Sequence, residues 1–238
     1  MSIPSEKQLL ESACHFGHRK EKWNPKMAPF LYGTRRGIHI FDLTKTCNGL
    51  KKVCDHMKKL QTEGKTILFV STKQQSIPML ESIAKKLNQP MVTKKWIPGL
   101  LTNWSTIKRR LKYYLDLQRS FQTGEVEKYT KKEQTSLRKK LAKLDTALAG
   151  VSRMTGLPDA VFIVDAILDR VAVLEAAKLK IPLFGICDSN ADPDLFTAFI
   201  PGNDDAVKSL LMILSTIENE LLEASPKKAH VDDELVAA

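Results

Sequence analysis

The sequence lacks the features that define several large classes of protein. It contains no run of about 18 apolar residues, so no membrane-spanning helix is predicted. Its first residues, MSIPSEKQLLES, have neither the apolar core of a secretion signal nor the arginines of a transit peptide. The four cysteines are scattered without a CxxC pair, which is typical of a chain that keeps its thiols reduced.

Motifs for nucleotide binding and hydrolysis are also absent. No GxGxxG, GxxxxGK[S/T] or GxSxG motif occurs. The stretch VSTKQQS (70–76) stands where a phosphate-binding loop would come, but it has no glycine. An enzyme on a parallel α/β sheet stays open as an alternative, because Asp188, Asp192 and Asp194 follow a predicted strand and either bind Mg²⁺ or form turns. No acid–base pair can be assigned, and we expect neither catalysis nor a cofactor.

Positive charge is abundant and unevenly distributed. The chain has 37 Lys and Arg against 27 Asp and Glu, a net charge of +10. Residues 1–153 hold 31 of these basic residues and 12 of the acids, whereas residues 154–238 hold 6 and 15. An inert basic surface is one explanation, but a polyphosphate partner explains such polarisation better, because each neutralised phosphate releases condensed counterions.

The basic charge is concentrated in HFGHRKEKWNPKMAPFLYGTRRGIHI (15–40), which has six Lys and Arg and one acid. It follows no helical or strand period, so an irregular segment is predicted. Its aromatic residues either stack on bases or anchor the segment, and Trp23 is the best candidate for stacking because charges flank it. Cys14, His15 and His18 lie close enough in sequence for a zinc site, but packing or phosphate contact is the favoured reading.

Apolar strands alternate with helices over most of the chain, which is typical of a doubly wound parallel sheet covered on both faces. Asn203 is expected to cap the last helix, with Asp204 and Asp205 facing its N-terminal dipole. The predicted strands are 37–41, 65–72, 89–93 and 158–166, and residues 181–190 are predicted to be a strand and its loop. The predicted helices are 7–13, a helix from a cap at Thr44 to Gly64, 76–88, 169–179 and 203–224.

Residues 103–152 interrupt this alternation. Apolar residues recur there at steps of four and three in two arms, from Ile107 to Phe121 and from Leu137 to Val151. A 3.5-residue repeat on each arm predicts an antiparallel coiled-coil hairpin. The predicted organisation is an α/β domain made of 1–102 and 153–224, the inserted hairpin 103–152, and a flexible tail 225–238.

Five motifs in order resemble the family of ribosomal protein two of the bacterial small subunit. Pro98 is a departure, because the family usually has a glycine there, and Ala191 is a second. Neither lies in the basic segment. The motifs are HFGHRKEKWNPKMAPFLYGTRRGIHIFDLTKT (15–46), KKWIPGLLTNWSTI (94–107), TGLPDAVFIVD (155–165), KIPLFGICDSNADPD (180–194) and IPGNDDA (200–206).

The resemblance implies a flavodoxin-like doubly wound parallel sheet with an inserted antiparallel coiled-coil hairpin. It implies a non-catalytic structural protein that binds small-subunit rRNA and is ribosome-bound in the cytoplasm or an organelle. The implied partners are other small-subunit ribosomal proteins, in many bacteria including the large mRNA-binding one. We expect no membrane association and no homo-oligomer. A protein-interaction scaffold that uses the hairpin remains an alternative.

The expected RNA-binding residues are the cations of the basic segment and of the two regions before and within the hairpin, together with Trp23. They are Arg19, Lys20, Lys22, Trp23, Lys26, Arg35, Arg36, Lys94, Lys95, Lys108, Arg109 and Arg110.

Overall fold

The computed structural model describes residues 3–224, so the predicted tail lies outside the described residues. Its centre is a five-stranded parallel sheet in the order β5-β4-β6-β7-β8. Every residue of β4, β6 and β7 is buried, as expected for strands covered on both faces. The strands are β4 Ile67–Val70, β5 Met91–Val92, β6 Ala160–Ile163, β7 Leu183–Cys187 and β8 Ala198–Pro201.

If β4 is counted as the first strand of this sheet, the order becomes 2-1-3-4-5, which is the order of flavodoxin-like folds. The predicted α/β fold class is therefore confirmed. The sequence pattern did not predict strand β8, because residues 198–201 lie between the last predicted strand and the last predicted helix. No helix in the described part of the chain is both long and apolar enough to cross a membrane.

Seven α-helices are found in the described residues. The predicted cap at Thr44 is wrong, because Asp42 precedes the helix and its carboxylate accepts the Thr44 N–H at 3.0 Å. Gly64 does end that helix region, with a φ of +68°. The helices are α1 Glu6–Glu11, α2 Leu43–Thr62, α3 Ile77–Lys86, α4 Trp104–Gln122, α5 Lys131–Leu148, α6 Arg170–Lys178 and α7 Val207–Ala224.

Helices cover both faces of the sheet. On one face, α2, α3 and α7 bury apolar side chains against the strands. Helix α2 lies so close to β8 that a Cβ at Gly49 would stand 2.6 Å from the Phe199 carbonyl oxygen. On the other face, α6 and the roots of α4 and α5 form a second apolar cluster with the side chains of Met27 and Phe41.

Most of the basic segment has regular structure, which corrects the prediction that it is irregular. Two 3₁₀ helices occur in it, Lys20–Lys22 and Pro25–Phe30. Strands β1 Phe16–Arg19, β2 Leu31–Arg35 and β3 Ile38–Phe41 form a small antiparallel sheet in the order β1-β3-β2. Strands β2 and β3 are joined at Arg36 and Gly37, which have φ values of +51° and +77°. Two left-handed residues in a two-residue loop suit the right-handed twist of a hairpin.

The predicted pair of helices in 103–152 is present. Helices α4 and α5 pack on each other, and the connection between them begins at Gly124, which has a φ of +74°. The Tyr114 hydroxyl donates to an Asp145 carboxylate oxygen at 2.7 Å, which joins the two helices by a polar contact. Burial and this hydrogen bond together raise the pKa of Tyr114 to about 12. Coiled-coil packing and a separate hairpin domain stay predictions.

Candidate nucleic-acid interface

The basic segment 15–40 is fixed to the loop that follows β7. The Asn24 N–H donates to the Ser189 carbonyl at 2.7 Å, and the His18 N–H donates to the Ser189 hydroxyl at 2.9 Å. The side chain of Met27 is fully buried beneath the segment. Since β7 ends at Cys187, the segment lies at the carboxyl end of the parallel sheet and presents a held surface rather than a loose arm.

The aromatic residues of the segment divide into anchors and exposed rings. Phe30 packs edge-on against Phe199, with ring centroids 4.9 Å apart. Trp23 stacks on His39 at 4.9 Å and is 36% exposed, so one face of its indole is already covered. Tyr32 is 83% exposed. Tyr32 therefore offers more free ring surface for base stacking than Trp23, the residue that sequence reasoning favoured.

Five cations of the segment point into solvent without an internal partner. Arg35 and Arg36 stand at the β2–β3 turn. Arg19 is the last residue of β1, and Lys20 and Lys22 follow it. Among residues 3–224, none of the five forms an ion pair. Lys22 is close enough to the Asp205 carboxylate to interact with its charge, but no ion pair in the described part of the chain holds any of the five, so they are available to an external anion. They are Arg19, Lys20, Lys22, Arg35 and Arg36.

Lys26 differs from these five cations. Its ammonium lies 2.9 Å from an Asp192 oxygen and 2.8 Å from an Asp194 oxygen, and hydrogen bonds to these carboxylates raise its pKa. Lys26 therefore ties the basic segment to the β7 loop. The same contacts answer the Mg²⁺ alternative: Asp192 and Asp194 face Lys26, whereas Asp188 faces His18, so the three carboxylates do not converge on one site.

The remaining expected contacts are exposed at two places. Lys94 and Lys95 follow β5, and because parallel strands end at one edge, they share that edge with the basic segment. Three strand spacings separate β5 from β7, about 14 Å. Lys108, Arg109 and Arg110 are exposed in the first turns of α4, and Arg109 donates to the Thr106 hydroxyl at 3.3 Å.

A buried charge network lies at the same edge of the sheet, and sequence reasoning missed it. The Lys73 ammonium is 2.9 Å from an Asp165 oxygen, 2.8 Å from Asp204 and 2.6 Å from Asp205. These residues follow β4, β6 and β8. The strand order reverses between β4 and β6, which is where ligands of such folds bind. Here the Lys73 side chain and its carboxylate partners occupy that position.

Burial and neighbouring charge shift the pKa values in this network. Burial raises the pKa of Asp204 to about 7, and the carboxylates of Asp188 and Asp165 add to that effect. Burial opposes the charge on Lys73, but its carboxylate partners outweigh burial and raise its pKa. Asp204 and Asp205 thus both bind Lys73, a role that their position before α7 did not indicate.

The proposed zinc set of Cys14, His15 and His18 is not assembled. Cys14 is buried and its sulfur accepts a hydrogen bond from the Ser209 hydroxyl at 3.2 Å. His18 instead approaches Asp188, with Nδ1 3.0 Å from the carboxylate, and this carboxylate raises the pKa of His18. In the part of the chain that the structure describes, only His18, Asp188 and Asp205 place possible metal ligands within 4.8 Å of one another.

A second buried acid, Glu175 on α6, was also missed. One carboxylate oxygen accepts the Trp96 indole N–H at 3.0 Å and the Gly99 N–H at 2.7 Å. The other accepts the Leu101 N–H, the Thr102 N–H and the Thr102 hydroxyl at 3.0–3.1 Å. This contact fixes the turn that leads into α4. The Trp96 side chain is itself buried in this turn.

Comparison with known proteins identifies the family. The model of the family described as ribosomal protein S2 matches residues 9–224. The chain belongs to the ribosomal protein S2 family. It is 43% identical to a protein of Nitratiruptor sp. named small ribosomal subunit protein uS2, over 91% of this chain and 81% of the relative. It is 40% identical to the Fusobacterium nucleatum uS2 protein, over 98% and 94% of the two chains.

A third relative, from Guillardia theta, is named small ribosomal subunit protein uS2c and is 42% identical over 92% of this chain and 93% of its own length. Membership of the S2 family confirms the resemblance drawn from the five motifs. It also confirms a structural, non-enzymatic role in the small ribosomal subunit and the predicted ribosomal location.

Proposed function

We propose that this chain binds small-subunit rRNA through the cations at the carboxyl edge of its parallel sheet. The observation that carries the proposal is the set of exposed cations in the basic segment that have no ion-pair partner among residues 3–224. Lys and Arg side chains of this kind pair with phosphates, and a small rigid sheet holds them in register against a structured RNA.

Arg35 and Arg36 are the strongest candidates for phosphate contacts. They stand at the end of a hairpin whose left-handed turn fixes their direction, and the exposed ring of Tyr32 lies on the same strand. Lys94, Lys95 and the cations of the first turns of α4 would extend the contact. Lys26 ranks behind them because it already faces two carboxylates. Neighbouring small-subunit proteins would dock on surfaces outside this edge, with the helical hairpin 103–152 as one appendage.

The test is the salt dependence of binding to purified small-subunit rRNA. We would compare the wild-type chain with the double variant Arg35→Gln and Arg36→Asn, where asparagine tolerates the positive φ of position 36. Removing two phosphate contacts should weaken binding and flatten the slope of log K against log [salt] by about one to two.

The matched control is Lys51→Gln with Lys52→Gln, two exposed cations on α2. This control removes the same charge from a helix on a face of the sheet, away from the basic segment. Equal loss of slope in both double variants would show that RNA responds only to net charge. An unchanged slope in the Arg35 and Arg36 variant would remove the hairpin turn from the interface.

A further inference from the structure

Helix α6 has an apolar outer face that no described part of the chain covers. Ile167 and Leu168, in the turn before the helix, are 47% and 56% exposed, and Val171 and Leu174 are 48% and 47% exposed. The inner face of the same helix is apolar as well, with Ala172, Val173 and Ala176 buried. A helix that is apolar on both sides is typical of a buried element, so something is expected to cover the outer side.

The exposed residues form one continuous patch. Val171 and Leu174 are spaced i and i+3 on α6, which places their side chains on one helical face. Ile167 and Leu168 stand in the turn directly before the helix, and Leu168 lines the same groove as Val171. Patches of clustered apolar side chains mark interaction sites, whereas scattered ones do not.

Accessible charge around the patch is positive. Lys94 and Lys95 line one groove with Leu168 and Val171, and Arg170 is exposed one turn before Leu174. Glu81 and Asp145 line a neighbouring groove with the same two lysines, but each accepts a hydrogen bond, from Thr93 and from Tyr114. The two acids nearest the patch, Asp169 and Glu175, are directed inward. Asp169 accepts hydrogen bonds from the N–H and hydroxyl of Thr72 at 3.0 and 2.9 Å, and Glu175 is buried among its five donors.

We propose that the α6 patch is the docking site of an acidic amphipathic segment of a neighbouring protein. Its apolar side chains would cover Ile167, Leu168, Val171 and Leu174, and its Asp or Glu residues would face Lys94, Lys95 and Arg170. An amphipathic segment laid on an apolar face between charged rims is a recurring mode of recognition. The patch adjoins the RNA-binding edge and shares Lys94 and Lys95 with it. The two surfaces differ in their remaining side chains, because the branched aliphatic residues of the patch neither stack on bases nor bind phosphate.

Other occupants fit less well. A second copy of this chain would bring like charges from Lys94, Lys95 and Arg170 together, and such contacts are costly at an interface. RNA would satisfy the cations but leave four aliphatic side chains against polar nucleotides. The chain's own segment 225–238 is a further candidate, but it continues from α7, and α7 packs on the opposite face of the sheet from α6.

The test is site-specific photo-crosslinking in growing cells, with p-benzoylphenylalanine in place of Val171. Both the small-subunit fraction and the free-protein fraction would be analysed, so the result does not depend on RNA binding or on ribosomal incorporation. The control carries the same crosslinker in place of Lys52 on α2. The crosslinker at position 171 is expected to capture a peptide of another protein that has apolar residues at helical spacing together with Asp or Glu. The crosslinker at position 52 is expected not to capture this peptide.

Two variants test the chemistry of the contact. Leu168→Gln with Leu174→Gln should lower the yield of this product at least about tenfold, since an interface anchor contributes more than 1 kcal/mol. Arg170→Glu should lower it by about threefold or more through charge repulsion. Both changes are on the surface, so unchanged thermal unfolding is expected to accompany the loss.

The proposal is overturned by a product containing rRNA, a second copy of the chain or residues 225–238. A partner peptide of basic character would also overturn it, as would a yield from position 171 no higher than that from position 52. Crosslinking that persists unchanged in both variants would equally count against the assigned surface.

Discussion

The carboxylate of Glu175 is expected to be one of the largest single-residue contributors to the stability of this fold. It lies on α6 and is only 8% exposed. It accepts hydrogen bonds from the Trp96 indole, from the backbone N–H groups of Gly99, Leu101 and Thr102, and from the Thr102 hydroxyl. The turn between β5 and α4 therefore depends on one acid that is 73–79 residues away in sequence.

Glu175→Gln keeps the shape of the side chain and replaces one acceptor oxygen by an NH₂ donor. The new NH₂ group cannot accept, so at least two of the five hydrogen bonds are lost. It also points its own N–H groups at the donors that have lost their acceptor. Hydrogen bonds to a charged group contribute about 1.5–3 kcal/mol each, so the loss of two is expected to cost about 3–6 kcal/mol. That is a large fraction of the roughly 5–15 kcal/mol that stabilises a typical protein.

The assay is urea unfolding of the purified chain, followed by far-UV circular dichroism and tryptophan fluorescence. Glu81→Gln is the matched control, because that carboxylate accepts one described side-chain hydrogen bond, from the Thr93 hydroxyl at 3.0 Å. The control should lose no more than about 1 kcal/mol. A loss of similar size in both variants, or less than about 1 kcal/mol for Glu175→Gln, would refute the assigned role of the five donors.

The pH dependence has a defined sign. Burial alone would raise the pKa of Glu175, but the hydrogen bonds from Trp96, Thr102, Gly99 and Leu101 outweigh it and lower the pKa below its ordinary value of 4.5. A depressed folded-state pKa gives stability that is present above the unfolded pKa and lost as the pH falls through the folded one. The difference between wild type and Glu175→Gln should thus be full at pH 7 and shrink below about pH 4.5.

Two further predictions complement the RNA-binding and crosslinking experiments. Lys26→Gln should leave the salt slope of rRNA binding unchanged, because Lys26 faces Asp192 and Asp194. The Arg35 and Arg36 variant should flatten it. A slope flattened by about one in Lys26→Gln would instead identify Lys26 as a phosphate contact. Gly150→Ala should destabilise the fold by about 1–3 kcal/mol in urea unfolding, because its Cβ would stand 2.1 Å from the Met91 carbonyl oxygen. Gly156→Ala, which meets nothing within 4 Å, is the control, and equal effects of the two would contradict the steric argument.

The parallel sheet could be predicted because its strands are buried on both faces. Strand β4, with the sequence ILFV, and strand β6, with AVFI, are apolar at every position, and a helix follows each of them. Strand β8 has the sequence AFIP and follows a short connection without an α-helix, so neither its composition nor the α/β alternation indicated it. In the small N-terminal sheet, β3 lies in the predicted strand 37–41, whereas β1 and β2 were missed because none of their residues is buried and they show no apolar period.

The buried charge contacts could not be predicted, because they join residues that are far apart in sequence. Lys73 meets Asp165 and Asp204 across 92 and 131 positions. A sequence pattern shows that each of these residues follows an apolar strand, but it does not show which strands are neighbours. One general rule could have helped: residues that follow parallel strands lie at the same edge of the sheet. Once the strand order is known, this rule places the residues after β4, β6 and β8 near one another.

The division of charge between the two parts of the chain acquires a physical meaning from these contacts. Several acids of the acidic C-terminal part form ion pairs with cations of the basic N-terminal part, including the pairs Lys58–Glu220 and Lys86–Glu218. Folding therefore neutralises one group of cations and leaves another group exposed at the carboxyl edge. Net charge alone would assign RNA binding to every Lys and Arg in residues 1–153. The pattern of ion pairs assigns RNA binding to the cations that folding leaves without a partner among the described residues. Arg35 and Lys26 are only nine positions apart, but Lys26 is paired, so removing the charge of Arg35 is expected to affect RNA binding more than removing that of Lys26.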